Sequence, residues 1–97
     1  MSKYLPDISP ELETAFRVFL AERTERASMA YVTPVFAIRA AFRAWLREND
    51  VPIGKPTTLQ VNWILDDANV PVEILAMRTG SKMPHACGIR LIMGATK

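Results

Sequence analysis

Apolar residues along this chain recur at helical spacing three times and then switch to strand-like runs. Leu12, Ala15, Phe16, Phe19 and Leu20 share one face of a helix. Ser9-Pro10-Glu11 supplies its start: a capping hydroxyl, a proline whose fixed φ suits the first turn, and an acid at the positive end of the dipole. The pattern predicts that this helix runs to about residue 24 or 26. Residues 1–9 read as a loose leader, because Pro6 and Pro10 interrupt regular structure. Ser28 to Thr33 is too short for a helix, and Tyr31-Val32 reads as a minimal strand. Thr33-Pro34 repeats the cap-plus-proline start, and over 34–49 Val35, Ile38, Ala41, Phe42, Trp45 and Leu46 fall on one face. Asn49-Asp50, followed by Pro52 and Gly54, ends that helix. Lys55-Pro56-Thr57-Thr58 opens a third, shorter one with Val61, Ile64, Leu65 and Ala68 turned inward. Asn69 closes it, since asparagine tolerates a positive φ.

Beyond Pro71 the period changes. The runs 71–78 and 86–93 read as strands, separated by a loop from Thr79 to Pro84 that contains Gly80. Residues 94–97 form a tail. The order is helix, short strand, helix, helix, strand, turn, strand. Two helices joined by a short turn and followed by a hairpin predict an α+β winged helix-turn-helix: three helices plus a small antiparallel sheet and wing. The 97 residues form one domain with room for one small core.

Composition narrows the class. With 49% hydrophobic and 23% charged residues the chain is neither a disordered segment nor a disulfide scaffold. No apolar run approaches the roughly 18 residues that would span a bilayer. The N-terminus lacks the apolar core of a signal peptide, and a single cysteine fits a reducing compartment, so the cytoplasm is the expected location. A net charge of +2 says little by itself about a polyanionic partner.

Placement of the charges says more. Arg39, Arg43 and Arg47 are spaced four apart, so they line one side of the second helix and can hold phosphates; the plainer reading is a solvated face balancing acids such as Glu48. Thr57, Thr58, Gln60 and Asn62 open the third helix, where a helix-turn-helix meets base edges and where backbone N–H groups favour a phosphate. The plainer reading there is capping. Arg78 and Lys82 flank the wing tip, and Lys55 precedes the third helix; all three are assigned to phosphates. Trp45 lies on the core stripe. Trp63 lies off its helix's main stripe and is expected to pack beneath the wing; the other reading is an exposed ring that stacks on a base or anchors a protein interface. Arg90 is expected to bridge to an acid across the sheet. His85 and Cys87 cannot complete a metal site with no second histidine or cysteine, and Cys87 reads as a small buried apolar residue. No catalytic constellation is visible, so neither an enzyme nor a cofactor is expected.

The residues also carry a resemblance. Phe19-Leu20-Ala21-Glu22-Arg23, then Tyr31-Val32-Thr33, then Phe42 three before Trp45, then Val61 four before Leu65, then Gly88-Ile89-Arg90-Leu91 follow one another in the order and spacing of the C-terminal domain of phage, plasmid and poxvirus primase-helicases. The resemblance spans roughly residues 16 to 92. It implies a winged-helix DNA-binding domain from a mobile-element replication protein, taking duplex rather than single-stranded DNA, with a protein of the replication machinery as a further partner. The chain lacks the phosphate-binding Gly-Lys-Ser/Thr loop of the helicase part, so it reads as a free-standing version or an excised piece. Asp66-Asp67 on the third helix sit poorly near phosphates. They favour the rival expectation, a phage-encoded winged-helix interaction module (an adaptor, dimerisation or inhibitor protein) that does not bind DNA.

Overall fold

In a computed structural model, which describes residues 8–92, the chain forms three helices and two small antiparallel sheets. The order is α1 (Pro10–Arg23), β1 (Thr24–Arg26), β2 (Val32–Pro34), α2 (Val35–Glu48), α3 (Thr58–Asp67), β3 (Val72–Ala76), β4 (Lys82–Cys87) and β5 (Ile89–Leu91). This is an α+β architecture. The expected leader and the tail over 94–97 lie largely outside the described residues. Ile8 and Ser9, the described end of that leader, are engaged: Ile8 packs against the core and Ser9 accepts a hydrogen bond from the Leu12 amide at 3.1 Å.

The helical stripes read from the sequence build the core. Leu12, Ala15, Phe16 and Phe19 of α1 meet Val35, Ile38, Phe42, Trp45 and Leu46 of α2, with Val61, Ile64 and Leu65 of α3 completing the cluster. Phe16, Phe19, Phe42 and Trp45 form an aromatic group in which Phe42 meets Phe16 edge-on, their centroids 4.8 Å apart. The Trp45 indole N–H reaches the rim, donating to Glu22 at 3.0 Å.

Both α2 and α3 end in the same way. Asp50 (φ 53°) follows α2 and Asn69 (φ 65°) follows α3. In each case the next amide turns back to the helix, Val51 to the Leu46 carbonyl at 3.0 Å and Val70 to the Leu65 carbonyl at 2.9 Å. These are Schellman closures, each with its apolar contact against the core. Asn69 therefore adopts the positive φ expected of it, but one residue past the cap, which is Ala68.

Four expectations need correction. The first helix stops at Arg23, because Thr24 turns extended and its hydroxyl donates to the Leu20 carbonyl at 2.6 Å; the chain then enters β1, a strand that hydropathy did not reveal. Thr33 does not cap α2. It is buried in β2, and its hydroxyl donates across to the Ile89 carbonyl at 2.9 Å, which leaves Pro34 at the cap position with no side-chain bond. The loop expected from Thr79 to Pro84 is shorter and earlier, since Lys82, Met83 and Pro84 already pair with Ala76, Leu75 and Ile74. Finally, the last run is two strands.

That division occurs at Gly88 (φ 83°). Before it, β4 lies between β2 and β3; after it, β5 pairs with β1. The Gly88 amide donates to the Tyr31 carbonyl and its own carbonyl accepts from Ala27, both at 2.9 Å. A Cβ here would sit 2.6 Å from the Met29 sulfur. Met29 is exposed and can swing aside, so the positive φ sets the larger part of the cost. Gly88→Ala is expected to destabilise the fold by about 1–2 kcal/mol, read as a lower urea midpoint with an unchanged slope. An unchanged midpoint would mean that the joint does not need this conformation.

Candidate nucleic-acid interface

The cations separate into two groups. Among the described residues, the ion pairs all involve Arg17, Arg23 or Arg90. Arg17 meets Glu13 at 3.2 Å and Asp67 at 2.6 Å, Arg23 meets Glu48 at 3.0 Å, and Arg90 pairs with Glu25 across the β1–β5 ladder, as expected for it. These exposed pairs stabilise the fold by at most about 1 kcal/mol each. They do remove Glu13, Glu25, Glu48 and Asp67 as counter-charges for anything else. Arg26 in β1 has no acidic partner among the described residues, and neither have the five cations Arg43, Arg47, Lys55, Arg78 and Lys82.

Three of these five line one hollow. Arg43 and Arg47, from the second half of α2, and Lys55, from the connection to α3, surround a space of about 510 Å³ floored by Leu46, Pro52 and Ile53. Asp50 is the acid among its lining residues. Arg39 does not join them. It is half-buried and its Nε donates to the Pro56 carbonyl at 2.6 Å, which ties the α2–α3 connection to α2. The spacing Arg39-Arg43-Arg47 thus describes an anchor followed by two cations with no acid partner. Arg47, the third member of the stripe, lies in the hollow one turn beyond Arg43. Arg78 occupies the β3–β4 turn and Lys82 begins β4, both exposed.

The start of α3 has a structural task. Thr57 is the N-cap: its hydroxyl accepts from the Gln60 amide at 3.1 Å, and the Gln60 side-chain oxygen accepts from the Thr57 amide at 2.9 Å. This reciprocal pair satisfies two helix-end donors. Thr57→Ala is expected to cost about 1 kcal/mol of stability by thermal melting; an unaltered melting temperature would remove the capping role. Asn62 is half-buried, with its Oδ1 shut off from solvent and without a partner among the described residues, so that oxygen does not face outward. Thr58 is exposed. The α3 sequence contains no lysine or arginine. Trp63 is 37% exposed, because Val61, Ile64 and Leu65 already fill the inward face of α3.

Cys87 is buried, as expected. Burial pushes its thiol up from the ordinary value and the carboxylate of Glu73 adds to the shift, so the thiol stays protonated and weakly nucleophilic at neutral pH. His85 is buried beside it in sequence, with Nδ1 2.8 Å from the Met83 carbonyl. No helix among the described residues is long and apolar enough to cross a membrane. No protein family, curated protein or solved structure matches this chain.

Proposed function

We propose that this chain is a winged-helix module that binds nucleic acid, duplex DNA above all, by gripping the phosphate backbone. The separation of its charges carries the reading. Arg17, Arg23 and Arg90 are paired with acids, while Arg43, Arg47 and Lys55 at the α2 hollow and Arg78 and Lys82 at the hairpin tip, like Arg26 in β1, have no acid partner among the described residues. Cations in this state can exchange their counter-ions for phosphates. The order of three helices and a hairpin, together with the resemblance to replication-associated primase-helicase domains, supports assigning the hairpin as the wing. Base reading by α3 is a minor part of this reading. Thr57 and Gln60 cap the helix, Asn62 turns its oxygen inward, and α3 itself carries no lysine or arginine.

The test is fluorescence anisotropy with a labelled duplex and a labelled single strand in low salt. Saturable binding that weakens in Arg43→Ala/Arg47→Ala and in Arg78→Ala/Lys82→Ala variants of unchanged stability is the expected result. Absence of binding to either form would overturn it. A second reading, a protein-interaction module that leaves DNA alone, is favoured by one observation: the outward face of α3 presents Leu59 and Trp63 beside Asp66.

A further inference from the structure

We infer that α3 is a self-association surface, through which two copies of this chain pack antiparallel with Leu59 of each against Trp63 of the other and Asp66 of each near Lys55 of the other. The inference does not rest on nucleic-acid binding.

The outward stripe of α3 consists of Leu59, Trp63 and Asp66, positions three or four apart that align along one side of a helix. Leu59 is 57% exposed. A leucine and a tryptophan one turn apart form an apolar spot of the kind that anchors protein interfaces. The charges around that spot select the occupant. Both acids of α3, Asp66 and Asp67, stand in its last turn, where helix carbonyls make negative charge unfavourable, and no cation offsets them within the helix. Arg17 relieves Asp67 at 2.6 Å. Asp66 has no such partner among the described residues.

The opposite end is the mirror case. The first turn of α3 contains no acid, so its free N–H groups lack a negative partner, and Lys55 stands two residues before the Thr57 cap. The bond from Arg39 to the Pro56 carbonyl holds the backbone that presents Lys55. Along the chain the apolar stripe therefore lies between Lys55, exposed at the edge of the α2 hollow, and Asp66, neither of them ion-paired among the described residues. Such a surface is complementary to itself when reversed. With the two-fold axis at the level of Val61, Leu59 faces Trp63 and Asp66 faces Pro56, next to Lys55. A parallel arrangement would instead oppose Asp66 to Asp66. An isologous pair needs this kind of self-complementarity. The seam is small, which places it with weak, reversible dimers.

Sedimentation velocity on the full chain without nucleic acid, from about 5 μM to about 500 μM, tests the inference. A concentration-dependent shift from monomer to dimer is expected. Trp63→Ser should weaken it by at least about 10-fold, while circular dichroism and melting confirm that the fold is kept. Asp66→Lys and Lys55→Asp should each weaken it, and the double reversal Lys55→Asp/Asp66→Lys should recover most of the loss, because the pair is restored with its signs exchanged. Recovery identifies this register. A chain that stays monomeric throughout, a dimer indifferent to Trp63→Ser, or a double variant no better than the single ones would each overturn it.

Discussion

Phe42→Ala is expected to lower stability by about 3–5 kcal/mol, the largest loss from any single side chain considered. The ring has no exposed surface and lies where α1 and α2 meet. It is edge-on to Phe16, tilted against Phe19 at 5.3 Å and stacked on Trp45 at 6.1 Å. Truncation removes the buried ring and leaves a space that three other aromatic rings cannot fill without leaving their own positions. A domain of this size has only about 5–15 kcal/mol in total, so much of the margin disappears. The melting temperature should fall by about 12–40 °C. Phe36 is the control: it is 46% exposed, and Phe36→Ala should cost less than about 1 kcal/mol. Equal losses in the two variants would contradict the placement of the aromatic group between the helices.

The second large effect is the response of nucleic-acid affinity to salt. The five cations assigned to phosphates, Arg43, Arg47, Lys55, Arg78 and Lys82, each displacing one condensed counter-ion, give a slope of about −4.5 in log affinity against log salt. Between about 50 and 200 mM monovalent salt, binding should weaken on the order of 500-fold. Arg78→Ala/Lys82→Ala should flatten the slope by about 1.8, and Arg43→Ala/Arg47→Ala by a similar amount. Substituting Arg39 should change the slope least, because its guanidinium already serves the Pro56 carbonyl. Binding that survives 200 mM salt almost unchanged would mean that contacts other than phosphate dominate, and the backbone-gripping reading would fail.

The helices were legible because each has one inward stripe and a local stop. Phe16, Phe19, Phe42, Trp45, Val61 and Leu65 are buried as their spacing requires, and Asn49-Asp50 and Asn69 mark the ends where positive φ is needed. The short strands were harder to read. Thr24–Arg26 is polar and three residues long, so its only reason to be extended is a partner 65 residues away in sequence, which no local window contains. Thr33 illustrates a different failure. Beside a proline its hydroxyl resembles a helix cap, yet a buried carbonyl at Ile89 claims it. At the candidate site, residue type located the cations but not their commitments. Arg39, Arg43 and Arg47 are equivalent by spacing, and only the path of the α2–α3 connection separates the anchor from the two that lack acid partners.

The turn in the chain at Gly88 bears on how the protein is made. As the polypeptide leaves the ribosome, Pro10–Arg23 can coil early, but Thr24–Arg26 has no neighbour to bond with until Ile89–Leu91 has also emerged. Closing that ladder spans most of the described chain, and such distant pairings are slow compared with local coiling. A nascent chain interrupted before Gly88 would therefore hold a formed first helix whose exit strand, Thr24-Glu25-Arg26, offers bare amides and carbonyls to any passing edge. Those three residues are all polar, two of them charged, and that is the sort of strand that can wait unpaired without recruiting the wrong one.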